Sequence, residues 1–166
     1  DGFNTVLDTG TGAINNNITG VGFTPDFVWL KERSSTSFHQ VLDTVRGAGK
    51  RLETNSTGAE TTPSPVGLTS FDTDGFTVQN NNGYNQSGQT YVAWTWDAGD
   101  NQPSTGISSV TYTGNGATQS IKGFGFSPDL VWLKGRSVAY AHGLYDVVRG
   151  VTKKLSSNLT NAEVTD

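Results

Sequence analysis

Gly22-Phe23-Thr24-Pro25-Asp26-Phe27-Val28-Trp29-Leu30-Lys31 recurs in the same chain as Gly125-Phe126-Ser127-Pro128-Asp129-Leu130-Val131-Trp132-Leu133-Lys134. Carried forward in that register, Arg33/Arg136, His39/His142, Asp43/Asp146, Arg46/Arg149, Gly47/Gly150, Asn55/Asn158 and Glu60/Glu163 stay in step. Residues 22–60 match residues 125–163 at 21 of 39 positions. Upstream, Thr9-Gly10-Thr11-Gly12-Ala13 answers to Thr113-Gly114-Asn115-Gly116-Ala117 after a shift of one residue. Identity of this extent marks a tandem duplication of a unit of roughly 100 residues, a whole domain rather than a solenoid repeat. The chain divides into a first repeat at 1–98, a linker at 99–106 ending in Pro103-Ser104-Thr105-Gly106, and the N-terminal part of a second repeat at 107–166.

The second repeat has no counterpart of the residues after Glu60 in the first, including Leu68-Thr69-Ser70-Phe71 and Tyr91-Val92-Ala93-Trp94-Thr95-Trp96. The chain starts at Asp1 and contains no Met, so it reads as an internal piece of a longer polypeptide. A sandwich lacking its last strands exposes sheet edge and apolar face. The second repeat is therefore expected to be completed either by residues beyond Asp166 or by strands of another subunit.

A net charge of −4 and a pI near 5.0 disfavour a nucleic-acid partner, which calls for a basic face. No stretch reaches the ~20 apolar residues of a membrane-spanning helix. The absence of Cys removes disulfides, thiolate nucleophiles and cysteine metal sites. With 21 Gly, 5 Pro and 16% charged residues, the composition suits many turns joining uncharged strands. Short strands at spacings of about 8–12 residues, without helical periodicity, predict an all-β fold of tandem β-sandwich or jelly-roll domains. Val6-Leu7 and Ser109–Thr113 read as first strands, the glycines after them as hairpin turns, and Ala13–Ile18 and Ala117–Lys122 as the returns. Phe27–Lys31 and Leu130–Lys134 read as strands buried on both faces, which places Trp29 and Trp132 in the core. Asp74-Gly75 reads as a hairpin turn. Along Thr90–Trp96, Val92, Trp94 and Trp96 point one way and Tyr91, Ala93 and Thr95 the other.

Four groups of residues are candidates for function. His39, Asp43 and Arg46 recur as His142, Asp146 and Arg149, either as an acid/base or metal pair or as a structural cluster in which the aspartate holds the arginine beside a turn. The structural reading is preferred, because no nucleophile or second carboxylate accompanies them at a motif spacing. Asp72 and Asp74 alternate as in the start of a calcium loop, but the Asp-Gly step is equally that of a hairpin. Trp94 and Trp96 share one face of a strand, as an exposed platform for sugar rings or as packing between sheets. Tyr84 and Asn85, in a polar loop, are expected surface contacts for a glycan or receptor. Asn17, Asn55, Asn85 and Asn158 match the glycosylation acceptor pattern, which arises by accident in a chain so rich in Asn, Ser and Thr. No catalytic residue and no cofactor are expected.

The Gly22–Lys31 string, followed in order by Asp43-x-Val45-Arg46-Gly47-Ala48, Ser70-Phe71-Asp72-Thr73-Asp74-Gly75-Phe76-Thr77 and Tyr91-Val92-Ala93-Trp94-x-Trp96, resembles a domain of unknown function in structural proteins of tailed, often marine, bacteriophages. The resemblance implies tandem β-rich units in a virion appendage such as a tail fibre, spike or head fibre. The expected location is the virion surface or the extracellular space. Expected partners are other virion proteins, further copies of the chain (a trimer in fibres of this kind) and a host-surface glycan. No catalytic residues come with the resemblance. The rival readings are a carbohydrate-binding module of an extracellular bacterial protein and the subunit of a repetitive extracellular filament.

Overall fold

Twelve strands, and no helix, make up the described residues, which in this computed structural model are 2–98 and 106–166. In the first repeat they are β1 (Phe3–Thr9), β2 (Asn16–Thr19), β3 (Phe27–Glu32), β4 (Gln40–Asp43), β5 (Leu52–Glu53), β6 (Leu68–Asp72), β7 (Gly75–Val78) and β8 (Thr90–Trp96). The second repeat contributes β9 (Leu130–Leu133), β10 (Gly143–Asp146), β11 (Lys153–Lys154) and β12 (Val164–Thr165). The fold is all-β and sandwich-like, and the described residues hold no helix long and apolar enough to cross a membrane.

The first repeat is built from a five-stranded sheet ordered β1-β8-β3-β4-β5 and a three-stranded sheet ordered β2-β7-β6, with every pairing antiparallel. Strand β8 sits between β1 and β3, and its alternation satisfies two environments at once. Tyr91, Ala93 and Thr95 are buried inward, whereas Val92, Trp94 and Trp96 lie half-buried on the outer face. Val28, Leu30 and Leu42 join Tyr91 and Ala93 on the inner face. Opposite them stand Ile18, Leu68, Phe76 and Val78 from the smaller sheet. Each such side chain contributes about 1.5–3 kcal/mol through burial. The turn between β6 and β7 is a tight one at Thr73-Asp74, with Asp72 opposite Gly75. Gly75 passes so close to β2 that a Cβ there would lie 1.8 Å from the Ile18 carbonyl oxygen.

Four expectations are corrected. The Gly10–Gly12 turn does not close a hairpin, because β1 pairs with β8 and β2 with β7, so the chain crosses from one sheet to the other there. Phe27–Lys31 is buried on one face only, and Trp29 lies on the outer face with Phe27. Its counterpart Trp132 is 38% exposed, and neither indole is in the sandwich core. Tyr84 and Asn85 are buried, at 1% and 0% exposure, and present nothing to a surface ligand. Tyr84 lies over Gly67, where a Cβ would come within 2.3 Å of the ring. The Asn85 amide accepts from Thr11 N (2.8 Å) and donates to Ala13 O (2.9 Å), pinning the crossing between sheets. Finally, Ser109–Thr113 and Ala117–Lys122 form no strands. Their counterparts β1 and β2 pair with β8 and β7, and residues 107–166 contain no sequence equivalent to either. The expected linker lies outside the described residues except for Gly106.

Candidate functional site

The two repeats share a polar frame built within residues 22–62. Pro25 and the strand after it bring the end of β4 beside Asp26, and Thr44 N donates to Asp26 O at 2.9 Å. Val147 N repeats the bond to Asp129 O at 3.0 Å. Asp43 then receives the Arg46 backbone N–H and the guanidinium together. That guanidinium also donates to Val41 O (3.0 Å), Lys50 O (3.2 Å) and Glu60 (3.3 Å). Asp146, Arg149, Leu144 O and Glu163 reproduce the arrangement. Lys50 and Lys153 close it by donating to Thr62 and Thr165.

The histidines are not joined to these aspartates. Trp29 Nε1–H donates to His39 Nδ1 at 3.2 Å, and Trp132 Nε1–H donates to His142 Nδ1 at 2.9 Å. The backbone N–H of each histidine donates to Asn55 or Asn158. A ring nitrogen that accepts from an indole is unprotonated, so both imidazoles are neutral and carry their proton on Nε2. Burial lowers the pKa of each, and Lys31 and Lys134 lower it further. Nothing in this geometry makes a His–Asp acid/base pair.

Asp72 and Asp74 serve as separate acceptors. Asp72 receives Asn17 Nδ2 (3.1 Å) and Thr77 Oγ1 (2.7 Å), whereas Asp74 receives the backbone N–H groups of Gly20 (3.0 Å) and Gly22 (2.6 Å). The Gly22 and Gly20 amides hold the exposed Asp74 carboxyl below its ordinary value. Among the described residues, no group of three or more His, Asp or Glu side chains is placed to hold a metal ion.

The feature that combines charge, aromatic surface and burial is the contact between the repeats. Arg136 donates through Nε and one Nη to the two carboxylate oxygens of Glu60, each at 2.9 Å, and Glu60 N donates to Arg136 O at 2.8 Å. Burial raises the Glu60 carboxyl, but the hydrogen bonds and charge of Arg136, aided by Arg46, outweigh it and hold the group below its ordinary value. His142, 2% exposed, donates from Nε2 to Glu53 O at 3.0 Å. Trp132 lies against Trp29 with ring centres 5.8 Å apart. Beside this contact runs an outer aromatic face in which Trp96 touches Phe3 (4.9 Å) and Phe27 (5.4 Å), and Trp94 touches Trp29 (5.6 Å). A groove of about 550 Å³ opens between Phe27, Val41 and Leu52 of the first repeat and the second repeat.

Sequence reading kept Glu60, Arg136 and the tryptophans in step between copies without assigning them to a contact. The usable signal was the pairing of a Trp with a His ten residues on in both copies, and of an Arg and a Glu retained at 33/136 and 60/163.

Fold and contact together define a tandem β-sandwich repeat protein whose units touch through a polar and aromatic seam. The chain belongs to the family DUF7483, a domain of unknown function, which matches residues 1–106 and again residues 102–166. No curated protein and no solved structure matches it.

Proposed function

We propose that this chain is a structural segment of a bacteriophage appendage (a tail fibre, spike or head fibre), in which repeats stack head to tail as a rigid spacer at the virion surface. The observation that carries this reading is the asymmetry of the contact. The first repeat offers Glu60 and the Glu53 carbonyl, while the second offers Arg136 and His142. Both halves are duplicated. Arg33 and His39 stand on the first repeat where Arg136 and His142 stand on the second, and Glu163 stands where Glu60 does. Arg33 is exposed, and the Glu163 side chain is 38% exposed on Arg149. A heterologous contact whose unused halves remain at both ends can be repeated without closing, as a fibre requires. The histidine bond takes a backbone carbonyl, so Ser156 can replace Glu53 there at no cost to recognition. The virion setting rests on the sequence resemblance, with other virion proteins and further copies of the chain as partners. The test is electron microscopy of native virions labelled with an antibody raised to this chain. Label along an appendage is the expected result, and label confined to a cell-derived filament overturns the assignment.

A second reading, a glycan-binding face, is favoured by the outer aromatic row of Phe3, Trp96 and Phe27, in which Phe3 is 49% exposed. Sugar rings stack on such surfaces. A glycan array probed with the chain and with Trp96→Ala decides it: a ligand lost in the variant supports recognition, and no ligand leaves the spacer role alone.

A further inference from the structure

Trp29 and Trp132 are the same residue of two copies, and they touch each other, with ring centres 5.8 Å apart. Contact between equivalent groups limits how the copies are related. Two superposable units are always related by a rotation about some axis combined with a shift along it, and every point moves along the axis by that same shift. The shift is therefore no larger than the separation of any equivalent points, about 6 Å here. A two-sheet unit repeated by translation instead takes about two sheet spacings, roughly 20 Å.

The ring planes bound the rotation. Both indoles are set alike within their own repeats. Each donates to Nδ1 of the histidine ten residues on, at 3.2 and 2.9 Å, and is inclined to that imidazole at 55° and 47°. Between the repeats the two indole planes are inclined at 58°. A rotation turns no direction through more than its own angle, so with the 8° between the two settings allowed for, it is at least about 50°. Half of 5.8 Å divided by the sine of half that angle places the axis within about 7 Å of both indoles. The rotation is not a two-fold. A two-fold pairs Arg33 with Glu163 as Arg136 is paired with Glu60, whereas Arg33 is exposed and Glu163 is held by Arg149.

We infer that the repeats are related by rotation about an axis beside Trp29 and Trp132, and that this seam takes further copies of the same unit, each turned by at least about 50° and shifted along the axis by at most about 6 Å. The further copies rest on the spacer reading above, which the axis makes more specific. The head-to-tail succession winds: at most about seven units complete a turn, and their tryptophans form an aromatic column at its centre. The Trp–Trp contact joins like positions and carries no direction. Direction comes from Arg136 on Glu60 and His142 on Glu53 O, which join unlike ones.

The chain has no Cys, so pairs of nitroxide labels can be placed at chosen positions of the full chain through introduced cysteines. Thr36 with Ala139, Ala48 with Val151 and Thr57 with Thr160 are equivalent pairs, and all six residues are exposed. Translation separates the three pairs by one common distance, whereas rotation separates each according to how far it stands from the axis. Pulsed electron double resonance on these pairs, and on cross pairs such as Thr36 with Val151, is expected to give unequal distances that together return a rotation of at least about 50° and a shift of at most about 6 Å. A smaller rotation, or a shift near the roughly 20 Å of translated sandwiches, overturns the inference. In a reconstruction of a native particle carrying the repeats, an axial rise well above about 6 Å per repeat overturns the extension to further copies. If antibody labelling does not find the chain on virions, the appendage assignment falls, and the label distances still decide the axis.

Discussion

Replacing Arg46 by Ala removes the centre of the first repeat's polar frame. Its side chain is 5% exposed and its partners Asp43 and Glu60 are 6% and 11% exposed, so water has little access to the groups left behind. The variant strands the Asp43 carboxylate without its cation and leaves Val41 O and Lys50 O without their donor. Breaking a buried pair on one side costs about 3–5 kcal/mol, a large share of the roughly 5–15 kcal/mol that holds a domain together. With a urea dependence of about 2 kcal/mol per molar, the midpoint falls on the order of 2 M. Arg149→Ala deletes the corresponding bonds to Asp146, Glu163 and Leu144 O, the bond from Arg46 to Lys50 O having no counterpart. There Arg149 and Asp146 are each 23% exposed and Glu163 is 38% exposed. Solvent can take over these bonds, and the loss is much smaller.

The assay is urea unfolding read by hydrogen exchange, which resolves the two repeats within one chain. Asp43→Leu combined with Arg46→Met is expected to lose less than the sum of its single variants, because no charge is then left buried alone. Equal losses for Arg46→Ala and Arg149→Ala refute the reasoning, since burial, more than the one additional bond from Arg46 to Lys50 O, is what separates the two sites.

Two further outcomes test the seam between repeats. Arg136→Ala removes the two-oxygen grip on Glu60 and, with Arg136 40% exposed and screened by solvent, is expected to loosen the contact by about 1 kcal/mol. Arg136→Glu loosens it further, and small-angle scattering that shows no change in either variant refutes the role of the pair. Burial holds the His142 pKa below its ordinary value, so the folded state binds this proton less readily than the unfolded chain. The stabilisation is therefore full above about pH 6.5 and is lost as pH falls from there toward the folded pKa, by up to about 1.4 kcal/mol per pH unit. The protection factor at Leu130–Leu133, which removes the base-catalysed slowing of intrinsic amide exchange in acid, should fall from pH 7.5 to 5, and His142→Asn should flatten that dependence.

The sequence carried the features whose causes are local. The alternation along Thr90–Trp96 is visible in seven residues and decides which face each tryptophan takes. The hairpin between β6 and β7 was legible too, although its turn falls at Thr73-Asp74, one residue before the Asp74-Gly75 step, because Gly75 is drawn into β7 against Ile18; the aspartate that caps an arginine three residues on needs only its neighbours. The features that could not be read depend on residues far apart in the chain. Phe3 stands opposite Trp96, and nothing near Gly10-Thr11-Gly12 announces that β1 will leave β2 for β8. Tyr84 and Asn85 sit in a stretch whose Asn and Gly residues mark it as surface loop. Their burial follows from Gly67 making room for a ring and from Thr11 and Ala13 arriving from the opposite sheet. The Glu60–Arg136 pair joins two repeats, and each member taken alone reads as a solvated surface charge.

The same division explains how one sequence pattern yields two different structures in one chain. Bonds within residues 22–62 reappear almost one for one in residues 125–165, because each needs only partners inside that span. Burial of Val28 and Leu30 needs residues 68–96, and their counterparts Val131 and Leu133 lack that cover. The polar frame therefore accompanies the β9–β10 pair without the apolar cover that residues 68–96 give β3.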